Sequence, residues 1–191
     1  MIAIKTNTFQ IIGGEHRGRK FTFPDAVGLR PSPSKVRETL FNWIQFEIVD
    51  KVVLDLFTGS GALSFEALSR GAKKAISIEK NADAFAHLEQ NKRLLKTQNM
   101  SIFHQDALEF LTEKNQNSFD FIFLDPPFYK NYLEKTLKLI AKNGFANVGI
   151  KIYIESEFAI TPSFLAQNFF AEAIINKQKK TPTMHYCLIQ L

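Results

Sequence analysis

From Lys51 onward the chain repeats one pattern: a short, largely apolar run, a turn, then a stretch with helical spacing. Residues 52–56, 74–79, 101–104, 119–124 and 149–155 read as strands. Residues 62–69, 82–96, a segment from Ala107, and 132–141 carry the helical spacing between them. Strands this apolar have no wet face, so both faces need covers, and crossover helices supply them. The expectation is an α/β fold with a mainly parallel sheet. Two last runs, 170–176 and 186–191, are joined by Lys177-Gln178-Lys179-Lys180-Thr181-Pro182 and predict a closing antiparallel hairpin. Together these make seven strands.

The first fifth of the chain is different. Residues 8–24 read as a small β-hairpin around the turn Gly13-Gly14-Glu15-His16-Arg17-Gly18-Arg19. Arg30-Pro31-Ser32-Pro33-Ser34 is a stiff approach to a helix over 35–46, with Ser34 as N-cap and Ser32 as its competitor. Val36, Leu40, Trp43 and Ile44 fall near one face of that helix. Residues 1–37 hold seven Lys/Arg against two Asp/Glu, so the whole formal excess of +5 lies there. A localised basic segment suits a phosphate backbone. The expected division is a basic hairpin extension over 1–34 and a main domain over 35–191.

Composition excludes several classes. A hydrophobic share of 45% supports a packed core. No apolar run reaches the roughly 18 residues of a membrane span, and residues 1–6 lack the features of a signal peptide. The single cysteine, Cys187, sits in an apolar run and reads as a core residue. The expected localisation is cytoplasmic. His16, His87, His104 and His185 have no metal-ligand spacing, so no metal is expected.

Two strand ends carry chemistry. The first is Asp55-Leu56-Phe57-Thr58-Gly59-Ser60-Gly61, where glycines let a ligand approach the backbone and the following helix offers free N–H groups. Glu79 ends the next strand, at the separation where an acid meets ribose hydroxyls. A dinucleotide fingerprint needs a third glycine, and Ser64 stands there instead. Asp55 puts negative charge in the turn, which suits a ligand bearing an ammonium group better than a pyrophosphate. The methionyl part of S-adenosylmethionine is such a ligand. Asp106-Ala107, after the third strand, resembles the pair that meets adenine in such enzymes, although an Asp there also serves as an N-cap.

The second is Asp125-Pro126-Pro127-Phe128, which resembles the (Asp/Asn)-Pro-Pro-aromatic motif of amino-methyltransferases. The lone pair of an exocyclic base amine is delocalised into the ring. Hydrogen bonds from its N–H groups to Asp125 and to the Pro126 carbonyl would draw the nitrogen toward tetrahedral geometry and stabilise developing positive charge. The prolines fix the carbonyl's direction. Phe128 would stack on a base that has left its own stack.

Taken with Gly13–Lys20 and Arg30–Phe41, these motifs closely resemble the bacterial 16S ribosomal RNA guanine-N2 methyltransferases, over nearly the whole chain. The resemblance implies a Rossmann-like class I methyltransferase fold with an N-terminal hairpin extension. It implies S-adenosylmethionine as cofactor and one guanine of 16S RNA, in assembled or assembling small subunits, as substrate. Asp55, Gly59 and Gly61 would line the methionyl pocket, Glu79 would hold ribose, and Asp106 with Ala107 the adenine. Asp125, Pro126, Pro127 and Phe128 would hold the guanine. Arg17, Arg19, Lys20, Arg30, Lys35 and Arg37 would face RNA, Arg37 near the cofactor mouth. The family's Arg-Pro-Thr reads Arg30-Pro31-Ser32 here, which keeps a hydroxyl. A monomer is expected. Two other functions fit parts of the pattern: a DNA adenine-N6 methyltransferase, which uses the same clamp, and a non-catalytic ribosome-assembly factor.

Overall fold

A computed structural model describes residues 6–25, 32–115 and 117–191. Two strands, β1 (Thr6–Gln10) and β2 (Lys20–Pro24), form an antiparallel hairpin with its own small sheet. Helix α1 (Ser34–Trp43) follows. The main body then alternates: β3 (Val52–Asp55), α2 (Ala62–Ser69), β4 (Lys74–Glu79), α3 (Ala82–Leu95), β5 (Met100–His104), α4 (Ala107–Phe110), β6 (Phe121–Leu124), α5 (Tyr132–Lys142), β7 (Lys151–Ser156), α6 (Pro162–Asn168), β8 (Ile174–Lys180) and β9 (His185–Gln190).

The seven-stranded sheet has the order β5-β4-β3-β6-β7-β9-β8. Strands β3 to β7 are parallel to their neighbours, and β9 runs antiparallel to both β7 and β8. The chain starts this sheet in the middle, at β3. It builds outward to β5, then returns to place β6 on the other side of β3. The switch point therefore lies between β3 and β6, where open α/β sheets bind ligands beyond their strands' carboxyl ends.

One face of the sheet packs on α4, α5 and α6 through Leu54, Ile122, Ile152, Leu137 and their neighbours. The other face packs on α1 and α2 through Val53, Phe123, Tyr153, Leu40 and Phe41. The hairpin joins a third cluster, in which Phe9, Ile11, Phe21 and Phe23 lie against Phe65, Leu88 and Leu95 of α2 and α3. Phe21 and Phe65 meet with ring centroids 4.7 Å apart. Burying each such side chain stabilises the docking by about 1.5–3 kcal/mol.

The hairpin is also held by polar contacts at its turn. Glu66 of α2 is fully buried and accepts from Ile12 N–H, Gly13 N–H and Arg70 Nε, each at 2.8 Å. Ile11 still exchanges hydrogen bonds with Arg19 and Gly18 across the hairpin, and the chain turns to Glu66 only at Ile12. Ser69 at the end of α2 accepts from Glu15 N–H through its carbonyl (2.8 Å) and from His16 N–H through its hydroxyl (3.0 Å). Gly14, at φ +77°, lies so close that a Cβ would stand 1.8 Å from the Ser69 carbonyl oxygen. No other residue fits there.

Several boundaries differ from the sequence expectation. α1 starts at Ser34 with Pro33 in the cap position and no side-chain cap. The Ser34 hydroxyl accepts from Arg37 Nη2 and Ser32's goes elsewhere, so neither is the predicted N-cap. α6 was not expected. β8 lies four residues later than predicted, so Lys177, Lys179 and Lys180 belong to the strand and not to a turn. No helix among the described residues is long and apolar enough to cross a membrane.

Candidate active site

Strand β3 ends in Asp55, which is buried. Its Oδ2 accepts from the Ser64 hydroxyl at 2.7 Å, and Ser64 in turn meets the Ser77 hydroxyl at 2.8 Å. The chain then turns through Thr58, whose hydroxyl donates to the Asp55 carbonyl at 3.0 Å. Gly59 and Gly61 both have positive φ, 54° and 84°. Gly61 occupies the cap position of α2 in the left-handed region, which only glycine adopts at little cost.

Glu79 closes β4 and reaches back across the turn. Its Oε2 accepts from Gly59 N–H and its Oε1 from Asn81 N–H, both at 2.7 Å. Each oxygen keeps an unused lone pair, so the carboxylate can still receive hydroxyls. Asp106 caps α4: its Oδ1 accepts from Leu108 N–H at 2.8 Å, while Oδ2 stands 3.4 Å from Lys80 Nζ. Ala107 is buried beside it.

Asp125 follows β6, half-buried, and Oδ2 accepts from the Ser32 hydroxyl at 3.3 Å. Pro126 is buried, Pro127 exposed, and Phe128 half-buried against the cluster that contains α1. At the end of β7, Glu155 is buried and accepts from the Tyr153 hydroxyl at 2.9 Å. The register sets Leu124 beside Ile154, so Asp125 and Glu155 follow as neighbours. Residue alternation puts Asp55, Asp125 and Glu155 on the same side of the sheet, the side of α1 and α2. No sequence motif singled out Glu155. The cue was an acid ending the predicted strand after the one that bears the clamp motif.

Three carboxylates at three adjacent strand ends are costly to ionise together. Burial pushes the Asp55 carboxyl up to about 7; the Asp125 and Glu79 charges add to this, and the Ser64 hydroxyl opposes it. Burial also raises Asp125 to about 6, against the pull of Ser32. Glu155 is held well above the ordinary carboxylate range by burial and then by the charge of Asp125. Such a row is short of positive charge. The described residues contain no group of acids, His and Cys able to hold a metal ion. A cationic organic ligand answers the deficit: the sulfonium and ammonium groups of S-adenosylmethionine fit this donor set, and the two positive-φ glycines beside it put no side chain of their own in the way of a ligand.

The predicted RNA-facing residues do not converge. Arg37 is not at the surface: it is 1% exposed, and burial lowers its pKa against the opposing charge of Glu66. Its guanidinium donates to the Gln10 carbonyl from Nη1 and Nη2 (3.2 and 3.1 Å) and to the Ser32 carbonyl from Nε (3.2 Å). Nη1 stands 3.5 Å from Glu66. It is a cross-link between hairpin, α1 and α2, which corrects the expectation of a residue at the cofactor mouth. Arg17 and Arg19 are exposed, but at the other end of the molecule, whereas Lys20 is exposed beside Gln10 on the cleft that also takes in Ser32. The hairpin turn docks on Ser69, next to Gly71, and Gly71 accepts from Asp50 N–H just before β3 begins. That is the amino end of the sheet. Arg19 Nη2 donates to the Leu94 carbonyl in the last turn of α3, at the same end. Lys35 is exposed at the start of α1, close to Ser32 and so to the clamp. Arg30 lies outside the described residues. A cleft of about 370 Å³ lined by Gln10, Lys20, Ser32, Ser34 and Arg37 runs beside the strand-end site and contains none of its acids.

The sequence profile of the family described as "Conserved hypothetical protein 95" matches residues 9–190. The chain is 45% identical over 148 residues to "Ribosomal RNA small subunit methyltransferase D" of Escherichia coli K12, covering 78% of this chain and 74% of that protein. It is 38% identical over 184 residues to the protein of the same name from Haemophilus influenzae, covering 95% and 93%. The solved structure "Putative methyltransferase yhhF from Escherichia coli" superposes with a TM-score of 0.86 at 39% identity, over 96% of this chain and 98% of that one.

Proposed function

The chain belongs to the Conserved hypothetical protein 95 family, and on that premise we propose that it methylates the exocyclic N2 amine of a guanine in small-subunit ribosomal RNA. The observation that carries this reading is the position of Asp125-Pro126-Pro127-Phe128 at the end of β6, directly across the switch point from the glycine turn after β3. The names of the similar proteins from Escherichia coli and Haemophilus influenzae support RNA of the small subunit as the substrate.

S-adenosylmethionine supplies an electrophilic methyl carbon on a sulfonium. Asp55, Gly59 and Gly61 hold its methionyl part, Glu79 its ribose, and Asp106 with Ala107 its adenine. Phe128 stacks on the extruded guanine. The Asp125 carboxylate and the Pro126 carbonyl accept the two N–H groups of N2, which concentrates the lone pair on nitrogen. The N–C bond would form as the methyl–sulfur bond breaks, with the neutral thioether S-adenosylhomocysteine as leaving group; N2 would take up the positive charge, and its surplus proton would pass to Asp125 or through it to water. Alignment supplies most of the acceleration. Lys35 takes a phosphate near the clamp. Lys20 takes a phosphate along the cleft that it shares with Ser32, and Arg17 and Arg19 take phosphates remote from the clamp.

The test is methyl transfer from labelled cofactor to undermodified small subunits, free 16S RNA and duplex DNA, with nucleoside mass analysis. N2-methylguanosine is expected on the subunit, with a loss of about 10²–10³ in kcat for Asp125→Ala. N6-methyladenosine in DNA would overturn the reading.

A further inference from the structure

The C-terminal hairpin places its basic end on the substrate side of the sheet. β9 is antiparallel to β7, and β8 antiparallel to β9, so β8 runs in the direction of β7. Register aligns Ser156 with His185 and His185 with Lys180. Lys180 therefore sits at the carboxyl end of the sheet, level with the strand ends that carry Glu155 and, one strand further, Asp125. Lys177 and Lys179 pair with Leu188 and Tyr186, both members of the cluster that packs on α1. They therefore point to the same side as Asp125 and Glu155. All three lysines are exposed, and none forms an ion pair among the described residues.

A second feature borders the clamp itself. Tyr129, the residue after Phe128, is 82% exposed and adopts φ +60°. A large side chain in the left-handed region is strained. The conformation is held by a 2.7 Å hydrogen bond from Tyr129 N–H to Glu157 Oε1, just past β7, and the ring stands edge-on to Phe128 at 6.4 Å. Strain that displays an aromatic ring to water has no packing return.

We propose that Tyr129 and the lysines of β8 form the surface that holds the RNA strand flanking the target nucleotide. Tyr129 stacks on the neighbouring base, Lys177 and Lys179 take the phosphates beyond it on that face, and Lys180, which alternates to the other face, reaches the backbone from the carboxyl tip of the strand. This surface rests on the RNA-methylation reading and gives it a direction: the strand leaves the clamp toward β8, away from the cofactor turn.

The test compares wild type with the triple variant Lys177→Ala/Lys179→Ala/Lys180→Ala, and with Lys73→Ala/Lys74→Ala at the amino end as a charge control. Binding is read by anisotropy of a fluorescein-labelled single-stranded RNA over a range of salt, and transfer on undermodified small subunits. The triple variant should raise KM for the subunit at least tenfold with kcat within about twofold, and lower the salt slope of binding by about 2. The control should leave both unchanged. Lysines on an edge strand also discourage strand pairing between molecules. If the triple variant aggregates while its monomeric fraction keeps wild-type RNA affinity and KM, the proposal is overturned. Tyr129→Gly should raise Tm by about 2–4 °C through relief of the backbone yet raise KM about fivefold or more, while Tyr129→Phe matches wild type. An unchanged KM in Tyr129→Gly removes the stacking role. Wild type that methylates no RNA overturns the activity itself, whatever the variants do.

Discussion

Glu66, fully buried, and Asp125, half-buried, are carboxylates on the same side of one sheet, and they are provisioned in opposite ways. Glu66 receives two backbone N–H groups, Arg70 and Arg37, and its oxygens have nothing left to recruit. Asp125 receives one serine hydroxyl at 3.3 Å and shares its surroundings with two more acids. The first is a finished structural joint. The second is a site whose partners have yet to arrive. The count of donors tells the two apart more sharply than burial does.

Removing each carboxylate should separate the roles. Glu66→Ala strands Arg37 in the core and frees two buried N–H groups, so it should lower stability by about 3–5 kcal/mol and loosen the hairpin. Chemical denaturation with amide exchange at Ile12 and Gly13 would measure both. A stable variant with both amides still protected would end the idea of a joint. Asp125→Ala should do the reverse, holding the fold while losing about 2.7–4 kcal/mol of transition-state stabilisation.

A finer contrast comes from pH. A carboxyl at about 6 in the folded chain and near 3.9 in the unfolded one binds more protons when folded. Stability therefore falls as pH rises from about 4 through 6, by up to about 3 kcal/mol at pH 8. Asp125→Asn removes that penalty. Its Tm should exceed that of wild type at pH 8, and the gain should fade toward pH 4. Its rate should lose the rise through pH 6 that wild type owes to ionising Asp125. A Tm difference independent of pH would contradict the raised carboxyl.

The smallest effect is expected at the surface. Arg17→Ala, at the hairpin turn far from the clamp, should change stability by less than about 0.5 kcal/mol and KM by no more than about threefold. A loss as large as that of Asp125→Ala would mean that the hairpin turn, and not the strand ends, governs catalysis.

The strand–helix order, both glycines of the cofactor turn and the clamp were legible because each is a local pattern: a period, a turn chemistry, a tetrapeptide. What escaped depended on partners distant in sequence. Arg37 looks like any basic residue at a helix start, and its burial follows from Glu66, a turn into another helix. The Gly13-Gly14 pair reads as a hairpin turn, and nothing near it says that Ser69 will press on its backbone. β8 was missed by four residues because hydrophobicity marks strands inside a sheet. This one lies at an edge, exposed over most of its length. α6 did announce itself, through Thr161 accepting from Phe164 N–H and Pro162 in the first turn, but the apolar run just after it drew the reading toward a strand.

Helix α2 begins at the cofactor turn and ends at the hairpin's docking site, and seven of its eight residues are buried. For a lineage accumulating mutations, that leaves Leu68, half-buried against the hairpin's cluster, as the most tolerant position. Every other change would disturb the cofactor turn or the docked hairpin, or both. In a saturation library selected only for expression, the half of α2 around Glu66 should be depleted. Under selection for methylation the depletion should extend to Gly61, so that the line between folding and activity falls within eight residues of chain.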